Sequence, residues 1–185
     1  MYDWQDQIVV GTVLGGASLV NPPKGNNCYL SMRDQNEKWL LYKMLQLTRY
    51  FDPDSKIHAY GNSNRCNSKC SLKLTELYNV FYNDNDRTIS MEALDPLRDV
   101  GLAIWFIDGG GKTGRNKKNA YFNTTKYTES GTLIINEYFK LCGFDCAINK
   151  NGKDRWRVLF DVESTEKLFK IIAHIFPPFM WNRLE

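Results

Sequence analysis

The stretch "LAIWFIDGGGKTG", Leu102 to Gly114, decides how this chain is read. Glycines followed by Lys112 and Thr113 suggest a phosphate-binding loop, but the pattern G-x-x-x-x-G-K-[ST] requires a glycine at position 106. Phe106 stands there. The segment before the glycines also reads as an apolar helix rather than as the strand that leads into such a loop. The spacing rule fails, and another reason is needed for an apolar helix that ends in Asp-Gly-Gly-Gly-Lys.

The chain of 185 residues is 43% hydrophobic and 14% aromatic, too rich in core-forming side chains for a disordered segment. No apolar run reaches the length that crosses a bilayer. The start, "MYDWQDQIVV", carries acids and no basic region, unlike a secretory signal. The expectation is an intracellular protein, in cytoplasm or organelle matrix, with no membrane partner and no obligate protein partner. A net charge of +3 permits nucleic-acid binding without requiring it. The basic residues concentrate in "GKTGRNKKNAYFNTTKY" and "INKNGKDRWRV", beside strand-like stretches. Five cysteines, an odd number, are expected as reduced thiols. Cys66/Cys70 and Cys142/Cys146 share a C-x-x-x-C spacing that matches zinc ribbons only loosely.

The chain also repeats itself. "IVVGTVLGGASL", from Ile8, and "LAIWFIDGGGK", from Leu102, are apolar segments ending in small residues. A polar loop follows each, and then a short alternating run, "NCYLSM" and "NAYFNT". An amphipathic helix comes next in both halves. In "NEKWLLYKMLQLTRYF" the stripe is Trp39, Leu40, Lys43, Met44 and Leu47. In "ESGTLIINEYFKLCGF" it is Leu133, Ile134, Tyr138 and Leu141, with Gly143 as the C-cap. Strands are then expected at "KIHAYGN" and "KCSLKLT", and at "DCAINKN" and "RWRVLFD" with an "NKNGKD" turn between them. Helical segments close each half, "ELYNVFYND" with "SMEALDPL" and "TEKLFKIIAHIF" with "PPFMWNRLE". The fold class is therefore α+β, two pseudo-symmetric αββαββα halves. Residues 1–98 and 99–185 are expected to form one compact pseudo-dimeric unit, a monomer.

Two apolar helices ending in small and acidic residues, each opening an αββαββα unit, resemble the LAGLIDADG homing endonucleases, most closely their single-chain, two-motif branch. The second motif keeps Leu102, Ala103 and the spacing to the glycine, and "VVGTVLGGASL" looks like the first. The resemblance implies that the motif helices pack together at the centre, helped by Gly11 and Gly15. It also implies curved antiparallel sheets that form a DNA-binding saddle over the major groove. The activity it implies is metal-dependent cleavage of both strands at a long, partly asymmetric double-stranded DNA site, with Mg²⁺ as cofactor.

In that family the eighth motif position is an acid that holds the metal, because Mg²⁺ demands hard oxygen ligands. Here the eighth positions are Gly16 and Gly109. Asp108, at position seven, is the remaining candidate ligand, although helix rotation points it elsewhere. The resemblance places basic residues near the site at Arg87, Arg183 and Lys112, where cations stabilise charge on the phosphate. The expectation is a scaffold that binds DNA, does not cut it, and holds metal weakly or not at all. A glycine pair introduced to trap uncut DNA and a natural descendant that kept only binding both fit. Two other readings stay open: an RNA-binding intron maturase that takes structured intron RNA, and a DNA-binding repressor.

The residues expected to contact DNA in the first half are Lys24, Asn26, Arg33, Asn62, Asn64, Arg65, Lys69 and Lys73. In the second half they are Arg115, Asn116, Lys117, Lys118, Asn123, Lys126, Lys150, Lys153, Arg155 and Arg157. Arginine and lysine suit guanine edges or phosphates, and asparagine suits adenine.

Overall fold

The computed structural model describes residues 3–150, 152 and 155–184. The first half runs α1 (Trp4–Gly15), β1 (Ser18–Val20), β2 (Tyr29–Asp34), α2 (Glu37–Gln46), β3 (His58–Tyr60), β4 (Ser63–Asn67) and α3 (Leu72–Phe81). A small hairpin, β5 (Tyr82–Asn83) and β6 (Asp86–Arg87), and a short α4 (Met91–Leu94) lead out of it. The second half repeats the order with α5 (Asp99–Gly109), β7 (Gly110–Thr113), β8 (Asn119–Asn123), α6 (Glu129–Leu141), β9 (Cys146–Lys150), β10 (Trp156–Phe160) and α7 (Val162–Ile172). Two 3₁₀ turns, Ala173–Ile175 and Pro178–Arg183, close the chain. Each half carries a four-stranded antiparallel sheet of the same topology, β1-β2-β4-β3 and β7-β8-β10-β9. No helix among the described residues is long and apolar enough to cross a membrane.

The two motif helices are central because they are apolar all round, and such a helix has no face to give to water. Every residue from Ile8 to Leu14 of α1 and from Gly101 to Ile107 of α5 is buried. Asp3 starts α1, accepting from the backbone N–H of Gln5 and Asp6 at 2.9 and 3.0 Å, while Asp6 reaches back to Asp3 N at 3.2 Å. This reciprocal cap satisfies donors that the first turn leaves open. Around α5 the second half packs an aromatic cluster, with ring centroids 4.5 Å apart for Trp105–Phe122 and 4.9 Å for Phe139–Phe160.

Several elements depart from expectation. "KCSLKLT" is not a strand: Ser71 caps α3 through Lys73 N at 3.2 Å, and the strand is the preceding Ser63–Asn67. Leu74, Leu77 and Phe81 are buried at helical spacing, while Leu72 is exposed. On α6 the buried stripe is Thr132, Ile135, Asn136 and Phe139. Leu133 and Leu141 face solvent. Gly143 does follow the helix with φ +76°, its N–H bonded to Lys140 O at 2.9 Å. The ends of both motif segments, Ser18–Val20 and Gly110–Thr113, are strands rather than helix, and Pro178–Arg183 is 3₁₀. In the "NKNGKD" turn, Asn151, Lys153 and Asp154 lie outside the described residues. All five cysteines are free thiols.

Candidate nucleic-acid interface

Glycine sets how closely the motif helices approach. A Cβ on Gly11 would lie 2.3 Å from the Gly101 carbonyl oxygen, and one on Gly15 would lie 2.3 Å from Asp108 Cβ. The C-terminal ends of α1 and α5 therefore meet, with the position of a Gly109 Cβ only 3.2 Å from Gly15 Cα. Gly109 keeps helical geometry. Gly16 instead caps α1 at φ +136°, and Ala17 N closes the turn onto Thr12 O at 2.9 Å.

An arginine holds each helix end. Arg87 donates to Val13 O at 3.0 Å and to Ala17 O at 2.5 Å, with Tyr82 OH at 2.9 Å. Arg183 donates to Ile107 O at 3.1 Å and to Gly110 O at 2.8 Å. Ala17 and Gly110 each directly follow an eighth motif position, so the two contacts are pseudo-symmetric. Helix C-termini leave carbonyls unpaired and carry partial negative charge, and both arginines answer that. Lys112 Nζ donates to Leu184 O at 2.7 Å and lies 5.6 Å from the Phe169 ring.

Asp108 is enclosed rather than presented. Its carboxylate accepts from Lys43 Nζ at 2.8 and 2.9 Å and from Trp39 Nε1 at 2.5 Å, all from α2 and all buried. Burial pushes its carboxyl pKa up, against the opposing pull of Lys43 and Trp39.

Each helix end opens into a polar cleft. The first, of about 370 Å³, is lined by Gly15, Gly16, Arg33, Asp34, Lys43 and Lys126, among others. The second, of about 310 Å³, is lined by Gly110, Gly111, Lys112, Lys117, Tyr121, Asn182 and Arg183. A divalent metal wants several oxygen ligands, carboxylates above all. The first cleft offers Asp34, whose Oδ1 already accepts Asn36 N–H at 2.8 Å, and the enclosed Asp108. The second has no carboxylate among its lining residues. Among the described residues no three His, Cys, Asp or Glu side chains group closely enough to hold a metal ion. The donors present do not fit the pair of metal sites that the motif implies.

The sheets' open faces carry part of the expected contact set. On β2 the outward side chains are Tyr29, Ser31 and Arg33, and on β4 they are Ser63, Arg65 and Asn67. Arg33 and Arg65 stand opposite each other in register and flank Tyr60, 4.8 and 5.4 Å from its ring centroid. In the second sheet Asn123, Arg157 and Asn149 form one cross-strand row. Arg157 bonds Asn149 Oδ1 at 2.9 Å and lies 4.8 Å from the Tyr121 ring. Lys24, Asn26 and Asn62 occupy exposed loops of the first half; in the second, Arg115, Asn116 and Lys117 form an exposed 3₁₀ turn, and Lys118 and Arg155 lie in exposed loops.

Four expected contacts sit elsewhere. Asn64 shares the parity of buried Cys66 and donates to Gln35 O at 3.3 Å. Lys150 shares the parity of Cys146, with its ammonium 4.9 Å from the Trp156 ring. Lys69 pairs with Asp52 at 2.9 Å, and Lys73 pairs with Glu76 on α3 at 3.1 Å. Lys153 lies outside the described residues. Asp34, Tyr60 and Tyr121 carry no sequence signature of a site, whereas Lys43 shows one, its place on the apolar stripe of α2.

The "LAGLIDADG DNA endonuclease family" matches residues 6–168. No curated protein matches the sequence. Among solved structures, the homing endonuclease I-WcaI bound to its DNA recognition sequence superposes with a TM-score of 0.89 at 17% identity, over 98% of this chain and 86% of that one. The structure of I-DmoI in complex with DNA and Mn gives 0.60 at 11% identity, over 91% and 96%. Full-length DUF199/WhiA from Thermatoga maritima gives 0.59 at 10% identity, over 98% and 59%. At these identities the likeness speaks for the fold. With a family match over most of its length and a doubled motif helix at its centre, the chain belongs to the LAGLIDADG DNA endonuclease family.

Proposed function

We propose that the chain binds a long, partly asymmetric double-stranded DNA site and leaves it uncut. The observation that carries this reading is the pair of glycines at the meeting ends of α1 and α5, beside an Asp108 committed to Lys43 and Trp39. Water activation by a divalent cation needs carboxylates free to bind it, and the one these helix ends carry, Asp108, is taken up by Lys43 and Trp39. Binding draws on other parts of the molecule, the open faces with Arg33, Arg65, Asn123 and Arg157 and the basic loops. The halves 1–98 and 99–185 each take one side of the site. Asymmetry of the site follows from asymmetry of the readers, an arginine pair in one sheet and an Asn-Arg-Asn row in the other. Relatives of this fold are seen on DNA, which supports duplex DNA as the partner.

Selection from a randomised duplex pool, without metal, tests the binding half of this reading. Enrichment of one long, weakly palindromic sequence is the expected result. If a folded sample enriches nothing from duplex DNA and instead retains structured intron RNA, the maturase reading replaces this one.

A further inference from the structure

Lys126 belongs to the second half, in the loop between β8 and α6, yet its ammonium ends in the first. It donates to the carbonyl of Gly16, at the C-terminal end of α1. A Cβ on Gly16 would lie 3.2 Å from Lys126 Nζ and 3.6 Å from its Cε. The ammonium therefore stands where a side chain at position 16 would project. Only one of its three donors is committed to Gly16, and an ammonium carries no acceptor. Arg87 approaches the same turn from the other side through Ala17 O and Ser18.

The charges around this point do not cancel. Lys43 pairs with Asp108, and Asp34 shares the cleft with Arg33 and Lys126, while Arg65 lines the adjoining cleft with the same two cations. Lys126 feels the excess: desolvation first, and then the Arg87 guanidinium, pull its pKa below the ordinary lysine value. An anion entering the cleft would offset both by favouring the charged ammonium. In the second cleft Lys112 donates to Leu184 O.

We propose that Lys126 is a resident cation for the backbone phosphate that passes the end of α1, occupying with its ammonium the place a carboxylate-held metal ion would need. The inference rests on the reading that the chain binds duplex DNA. Binding at this point then needs no divalent metal, and the side chain at position 16 has to be as small as glycine to leave the ammonium its place.

The test measures affinity for the selected duplex in EDTA over a series of salt concentrations, for the unaltered chain, Lys126→Ala and Lys126→Arg. One lost phosphate contact should weaken binding by Lys126→Ala and lower the slope of log K against log salt by about 0.9, with Lys126→Arg close to the unaltered chain. The same sequence should still be enriched, because a phosphate contact carries no base information. Thermal unfolding of each variant shows that the fold is kept, and Lys126→Met serves if the alanine variant unfolds. Specific binding with unchanged slope and affinity would overturn the inference alone. So would weaker binding with an unchanged slope, since that would make Lys126 a brace for the Gly16 turn. Absence of duplex binding by the unaltered chain would bring down the functional reading, and this inference with it.

Discussion

Gly16 and Gly109 occupy equivalent motif positions but are not equivalent residues. Gly16 sits at φ +136°, where any Cβ is strained, and Gly109 is helical. Gly16→Ala is expected to destabilise by about 1–3 kcal/mol. Gly109→Ala gains about 1 kcal/mol of helix propensity and loses a similar amount to the tight approach to Gly15, so it should be near neutral. Urea unfolding of the two variants checks the ranking, which would fail if Gly109→Ala were the worse. Gly11→Ala should exceed both, because its Cβ meets backbone oxygen of the partner helix, which cannot step aside. The cysteines give a second residue-scale prediction. Burial raises the thiol pKa of Cys28 and lifts Cys66 and Cys146 to about 11, whereas Cys70 and Cys142 are exposed. Iodoacetamide at neutral pH should alkylate Cys70 and Cys142 in the native protein and reach the others only on unfolding. Mass spectrometry reads the outcome, and rapid labelling of Cys66 would contradict the packing. Much at this scale is legible in sequence, including the close helix approach at Gly11 and Gly15. The enclosure of Asp108 is not, because its partners Trp39 and Lys43 are distant in the chain and meet it only in the fold.

At the scale of elements, the ion pair Lys43–Asp108 ties α2 of the first half to α5 of the second, with both side chains nearly inaccessible, at 3% and 8%. Removing one partner strands the other, so Lys43→Met should destabilise by about 3 kcal/mol at neutral pH. That loss should shrink as pH falls, because the stranded carboxyl can then take a proton. In the unaltered protein the Asp108 pKa is raised on folding, so the folded state holds a proton that the unfolded state releases first. The contribution of Asp108 is therefore fully present below its ordinary carboxyl pKa and is lost as pH rises through the raised value. Asp108→Asn should remove that slope from a plot of unfolding free energy against pH, and an unchanged slope would assign it to another group. Elements were easiest to read where one period dominates. "KCSLKLT" satisfies both a two-residue alternation and a helical stripe, and the Ser71 cap decides for the helix. On α6 the apolar residues surround the helix, so which of them face inward is set by packing against β9 and β10 rather than by pattern.

For the whole molecule, the internal repeat of the sequence carries the αββαββα order, and the doubled topology of the two sheets matches it. The placement of the expected contact residues is only partly legible in sequence. Strand register puts Asn64 and Lys150 on the parity of buried cysteines, and Lys69 and Lys73 form ion pairs within the chain, none of which the sequence pattern shows. The remaining basic surface should make affinity fall steeply with salt, with a log–log slope of about −5 or steeper if some six phosphates are contacted. A shallow slope would shift the weight from backbone clamping to the open sheet faces. The glycines at both eighth motif positions, with Asp108 committed to Lys43 and Trp39, lead to the central claim, recognition without cleavage. Its most direct test is to incubate the selected duplex, end-labelled on each strand, with saturating protein and millimolar Mg²⁺, and to resolve the strands on a denaturing gel. Full-length strands that remain protein-bound are the predicted result. Nicks or double-strand breaks at a defined position would show that the site recruits metal without those two acids, and would contradict the account.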